Sequence, residues 1–136
     1  MRMGRKNIFG LVLFIIYLCL VAWCCFGHFD SLPDVGKDFF GIPMDKVVHF
    51  IMFFPFPFLC FWSFDYLAGS RLQGVLLTLG VLLAGCLVAG ATEVGQYFTT
   101  YRSGDPADFL ADFLALASGS VLVLIIFLSS KKTTTT

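Results

Sequence analysis

Residues 8–26 read IFGLVLFIIYLCLVAWCCF, nineteen positions without a charged side chain. A helix rising about 1.5 Å per residue needs about 20 mostly apolar residues to cross roughly 30 Å of hydrocarbon. Backbone groups that cannot bond to lipid must bond within their own segment, so a stretch of this kind enters a membrane as a helix. Three further stretches qualify. Residues 46–65 are apolar but for Lys46, His49, Pro55, Pro57, Ser63 and Asp65, residues 72–100 are apolar until Glu93, and residues 107–128 are broken by Asp108, Asp112 and two serines. Pro55 and Pro57 are expected to bend the second span and to leave carbonyls for a neighbouring helix to satisfy. The basic start of the chain resembles a signal peptide. The first apolar run nevertheless exceeds the usual length of about 7–15 residues and no A-x-A site follows it, which favours a retained helix.

Composition agrees. The chain has 136 residues, 58% hydrophobic and 13% charged, with 17 Phe and a mean hydropathy of +0.88. A soluble domain carries about 25% charged residues, so an ordinary water-soluble monomer is excluded. Nine basic and nine acidic residues cancel, which leaves no global field to attract nucleic acid. The five cysteines all lie inside apolar runs without a CxxC, and they read as small hydrophobes. The expected fold class is an all-α membrane protein: one domain over residues 1–136, a bundle of four transmembrane helices at about 8–26, 46–65, 72–100 and 107–128. An interfacial outer loop would join the first two, and 129–136 would form a cytoplasmic tail.

Basic residues near span ends set orientation. Arg2, Arg5, Lys6, Arg71, Lys131 and Lys132, six of the nine, fall on one side of a four-span chain, which predicts both termini cytoplasmic. Small residues set packing, because lipid offers no hydrophobic drive for helix association. Ala107, Ala111, Ala115 and Gly119 form a ridge on the fourth span. Gly80/Ala84, Gly85/Ala89 and Ala91/Gly95 give small pairs on the third, so these two spans are expected to touch.

Ionisable groups at membrane depth are costly and point to function. They gather at the outer ends of three spans: Asp45-Lys46-x-x-His49, Glu93-x-x-Gln96, Arg102, Asp105-x-x-Asp108 and Asp112. Spacings of three and four put each helical set on one face. His49, Glu93 and Asp112 form an inner layer, and Asp45, Lys46, Gln96, Arg102, Asp105 and Asp108 a rim. Plainer roles stand beside these. Asp45, Asp105 and Asp108 suit helix capping, with Pro106 at a first helical position. Lys46 and Arg102 suit interface anchors or ion pairs, Gln96 a bond between helices, and the inner trio a structural network; His28, alone in a loop, reads as incidental. Five carboxylates against two cations leave a formal −3, so protons or a cation must be shared among them. Carboxylates with one imidazole can hold a divalent ion, but there is no tight metal motif, and no metal ligand or cofactor is assigned from the sequence.

The series Asp45-Lys46-Val47-Val48-His49-Phe50, Glu93-x-x-Gln96, Arg102, Asp108-x-x-Ala111-Asp112 and Gly119 resembles the VanZ-like family, whose pattern is D-K-x-x-H-F, E-x-x-Q, R, then D-x-x-A-N and glycines. The resemblance covers residues 45–119. Asp112 stands where the family usually has Asn, and Ala115 where Gly is common. The resemblance implies a small multi-pass protein of the bacterial cytoplasmic membrane, in a family whose namesake is linked to resistance to the lipoglycopeptide teicoplanin. The expected function is an outer-leaflet polar pocket built from Asp45, Lys46, His49, Glu93, Gln96, Arg102, Asp108 and Asp112. It would bind a lipid headgroup or a lipid-linked cell-wall precursor, with Lys46 and Arg102 meeting its phosphate or carboxylate. The alternative is an enzyme on a lipid-linked phosphate or ester, with His49 as general acid/base and Glu93 or Asp112 orienting it.

Overall fold

The computed structural model describes residues 2–27, 38–99 and 105–133. It is an all-α bundle with four helical spans long and apolar enough to cross a membrane. Helix α1 (Arg5–Phe26) is the first. The second span is divided into α2 (Met44–Phe53) and α3 (Phe56–Phe64), followed by a 3₁₀ turn at Asp65–Leu67. Helices α4 (Arg71–Tyr97) and α5 (Pro106–Thr133) complete the bundle. Several boundaries move from those read in the sequence: α1 begins at Arg5 rather than 8, α2 at Met44 rather than 46, α4 ends at Tyr97 rather than near 100, and α5 continues as helix to Thr133, into the stretch expected as a tail.

The expected interfacial loop, with His28 and Lys37, and the outer turn with Arg102 lie largely outside the described residues. Their described edge contains a small hairpin, β1 (Asp38–Phe39) with β2 (Ile42–Pro43). Its turn places Phe40 at φ 53° and Gly41 at φ 80°, the twist that suits a two-residue hairpin. No residue pattern announced it, since turns of this kind ordinarily carry Asn-Gly or Asp-Gly.

The break between α2 and α3 falls at Phe54–Pro55, where the ring removes a donor and clashes with the preceding turn. The Tyr17 hydroxyl of α1 donates to the Met52 carbonyl across 2.6 Å, so a neighbouring helix supplies a donor beside the break. Phe14 and Tyr17 each pack edge-on against Phe56 there, Phe14 and Phe56 with centroids 5.2 Å apart. On α5, Gly119 lies so close that a β-carbon would stand 3.1 Å from both the Phe54 carbonyl oxygen and the Pro57 ring.

Helices α4 and α5 do touch. Large α5 side chains fill α4 glycines: a β-carbon at Gly85 would lie 2.5 Å from Leu116, and one at Gly74 would overlap Phe127. The α5 ridge turns the other way, with Gly119 against the α2–α3 break and Ala107 and Ala111 beside α2. Among the described residues nothing lies within 4 Å of a β-carbon placed at Gly80, so of the Gly80/Ala84 pair only Ala84 packs against the core. Leu72, Leu76, Leu79, Leu83 and Leu87 form an outward face on α4, as a lipid-facing surface requires. Cys25 and Cys60 are buried, whereas Cys19 and Cys24 face outward; all five cysteines lie on helices and none is in a disulfide.

The opposite end of the bundle carries a network whose centre sequence reasoning missed. Asn7, 1% exposed, donates to the Trp62 carbonyl across 3.0 Å and to the Asp65 carboxylate, and Lys6 pairs with Asp65 at 2.8 Å. Asn7 is the only asparagine in the chain, standing one residue before the first apolar run, and that was the available signal. The network borders a cavity of about 590 Å³ that Arg2 and Lys131 also line.

Candidate functional site

Helices α2 and α5 both start at the end of the bundle where α4 finishes, and the polar side chains converge there. Lys46 and His49 are three apart on α2, while Asp108 and Asp112 are four apart on α5, so each pair stacks on one helix face. The faces meet as two rungs. Lys46 Nζ lies 2.6 Å from Asp108 Oδ1, and one turn deeper His49 Nδ1 lies 3.0 Å from Asp112 Oδ1. Asp108 joins the rungs, its Oδ2 3.7 Å from His49 Nε2. Glu93 approaches from α4, with Oε1 3.8 Å from His49 Nδ1.

Burial grades with depth. His49 is 4% exposed and Asp112 wholly buried, whereas the side chains of Asp45 and Asp105 are 55% and 47% exposed. The expected inner layer of His49, Glu93 and Asp112 therefore comes together, each offering a ligand atom within 4.8 Å of the others, a group that could hold a metal ion. Both Glu93 oxygens and Asp112 Oδ2 are buried, with no hydrogen-bond partner among the described residues. A buried unsatisfied acceptor costs about 1–3 kcal/mol, and more when charged, so three together signal an unmet need for positive charge or protons.

The rim differs from expectation in two respects. Lys46 does not offer a free ammonium: Asp45 at 3.0 Å, Asp105 at 2.7 Å and Asp108 at 2.6 Å match its three donors. Gln96, 2% exposed, turns away from the site and donates to the Cys25 carbonyl across 3.1 Å. That carbonyl belongs to the last turn of α1, which has no intrahelical donor, and this is why a buried amide is placed there. Arg102 lies outside the described residues.

Capping explains part of the acidic set without replacing its other role. Asp105 Oδ1 accepts from the Ala107 amide at 2.9 Å with Pro106 as the first helical residue, while Asp105 Oδ2 holds Lys46. Its carboxyl is held below the usual carboxylate range by the Lys46 ammonium first and by the Ala107 amide second. Asp45 is not the cap of α2; Pro43 holds that position and Asp45 sits in the first turn.

Two openings lead to the cluster. A cavity of about 240 Å³ lined by Glu93, Val94, Tyr97, Pro106 and Phe109 reaches Glu93 from between α4 and α5. An apolar groove of about 480 Å³ runs between α2 and α5, with Lys46 at its wall and Val47, Phe50, Leu110, Ala111 and Leu114 along it.

No family model matches the chain, and no solved structure matches it. It is 31% identical over 122 residues to an uncharacterized protein of the fission yeast Schizosaccharomyces pombe. The match takes in 89% of this chain and spans 65% of the relative's length.

Proposed function

We propose that this chain is a VanZ-like membrane protein whose buried polar pocket binds the headgroup of a phospholipid or of a lipid-linked envelope precursor. Three buried carboxylate oxygens beside His49, without a hydrogen-bond partner among the described residues, carry this proposal, since side chains that serve only packing are ordinarily satisfied. Position supports it. His49 lies five residues into α2 and Asp112 six residues into α5, which sets them about 7–9 Å below the helix starts, within reach of a headgroup. The groove between α2 and α5 suits an acyl chain, and the opening at Glu93 suits the polar end. The excess of basic residues at the other end supports cytoplasmic termini and an outward-facing pocket.

The proposed setting is a bacterial cytoplasmic membrane, and lipoglycopeptide susceptibility would change because the pocket holds a lipid that such antibiotics need. Placement in bacteria rests on the family resemblance. The related sequence in a yeast favours a ligand found in membranes generally, such as a phospholipid headgroup, over one confined to the bacterial wall.

The test is native mass spectrometry of the protein released from nanodiscs of mixed phosphatidylglycerol, phosphatidylethanolamine and polyprenyl phosphate. Selective retention of one phosphate lipid, reduced at least tenfold by Glu93→Gln and Asp112→Asn, is expected; equal retention in wild type and variants would refute it. A second function, general acid/base catalysis, is favoured by the His49–Asp112 hydrogen bond, which fixes the ring as a catalytic dyad would. Turnover of labelled polyprenyl phosphate that disappears in His49→Ala would establish it.

A further inference from the structure

The headgroup reading raises a problem of charge. A phosphate is anionic, the pocket holds five carboxylates, and the one described cation beside them, Lys46, already has a carboxylate on each of its three donors. A cation held inside the pocket would supply the positive charge that an anionic headgroup needs there. We propose that His49, Glu93 and Asp112 bind a divalent transition-metal ion of the Zn²⁺ class, which deepens the headgroup reading and rests on it for the phosphate partner. The ligands would be His49 Nδ1 and one oxygen each from Glu93 and Asp112. Three protein ligands leave positions open for water or for phosphate oxygens.

The geometry fits on four counts. Metal–ligand bonds of about 2.0–2.2 Å around a tetrahedral ion put neighbouring ligand atoms about 3.3–3.5 Å apart. The separations of 3.0 Å from Nδ1 to Asp112 Oδ1 and 3.8 Å from Nδ1 to Glu93 Oε1 bracket that value. Of the four buried side-chain oxygens without hydrogen-bond partners among the described residues, three belong to the two carboxylates of this group and the fourth is the Ser120 hydroxyl; Asp112 is wholly buried. The far ring nitrogen faces a carboxylate held by Lys46, with Asp108 Oδ2 3.7 Å from Nε2; this is longer than a hydrogen bond but on the side where a metal-bound histidine takes its outer partner. Loading the ion displaces the proton from Nδ1, and the neutral ring then carries its proton on Nε2, facing Asp108.

The neighbouring acidic group, Asp45, Asp105 and Asp108, is a different case. It also has metal-like spacing, but the Lys46 ammonium already sits among its oxygens and supplies the charge. The inner group has only an imidazole.

The experiment uses the full chain purified in detergent, stripped with chelator, and titrated with Co²⁺ by visible absorption and with Zn²⁺ by calorimetry, without added lipid. One ion per chain is expected, with Co²⁺ bands stronger than those of the aqueous ion, as low coordination number gives. Affinity should fall at least 100-fold in His49→Ala, Glu93→Gln and Asp112→Asn and stay unchanged in Asp65→Asn at the other end of the bundle. A Co²⁺ spectrum identical to that of the aqueous ion overturns the proposal without recourse to any variant. So does binding that survives His49→Ala and disappears in Asp45→Asn/Asp105→Asn. The two readings separate cleanly. Lipid retention that is unchanged by chelator overturns the ion's role and spares the headgroup reading, whereas ion binding without lipid retention does the reverse.

Discussion

Replacing Lys46 by methionine removes the one described cation at the rim while keeping a side chain of similar length, and the structure says which carboxylate will suffer. Asp45 is 55% exposed and can turn to water, and an exposed pair of this kind is worth about 0.2–1 kcal/mol. The Asp108 side chain is 11% exposed, its Oδ1 is 2.6 Å from the ammonium, and its other oxygen lies 3.7 Å from an imidazole, too long for a strong bond. Stranding a buried charge costs about 3–5 kcal/mol, and residual hydration of Lys46, 17% exposed, places this case near the lower end. Lys46→Met should therefore lower unfolding free energy by about 3 kcal/mol, nearly all of it through Asp108. Double-mutant cycles give the partition. Coupling between Lys46→Met and Asp108→Asn should be about 1.5–3 kcal/mol, and that with Asp45→Asn below about 1 kcal/mol. Reversible unfolding in mixed micelles of increasing SDS, followed by tryptophan fluorescence, measures each corner. A coupling to Asp45 equal to or larger than that to Asp108 would show that burial does not rank these pairs, and the two-rung account would fall.

Three further outcomes are expected. Gly85→Ala would set a methyl 2.5 Å from Leu116, itself fully buried against Phe56, and should cost about 1–3 kcal/mol, with Leu116→Ala giving partial rescue rather than an additive loss in the same unfolding assay. Gln96→Leu removes the hydrogen bond from the Gln96 amide to the Cys25 carbonyl and should lower stability by about 1–3 kcal/mol; an unchanged midpoint would mean that this bond does not hold α1 to α4. Because the folded Asp105 carboxyl titrates below its unfolded value, its pairing contributes fully above the unfolded value of about 3.9 and is lost as pH falls through the folded one. The stability gap between wild type and Asp105→Asn should thus be widest near neutrality and close on acidification, and a gap that widens in acid would contradict the pairing.

The membrane character and the number of spans were legible in the chain because they depend on length and apolarity alone, which residues 8–26 display without ambiguity. The inner trio was legible as well. His49, Glu93 and Asp112 lie too far inside their spans to be caps, and burying a charge in hydrocarbon is expensive enough that helices bring such groups together. Local rules could not assign partners. Gln96 and Glu93 are three apart on one helix, yet the structure sends one to the end of α1 and leaves the other beside His49, because which neighbour has an unsatisfied carbonyl depends on how the helices pack. Lys46 is the same lesson in reverse: its charge was plain, but only packing α5 against α2 brought Asp105 and Asp108 within 3 Å and converted an apparent anion receptor into a saturated ion pair. Hydropathy decides which segments leave water, since that free energy is a sum over residues. Close contact decides what a buried polar group does, since that free energy belongs to pairs which sequence spacing does not determine.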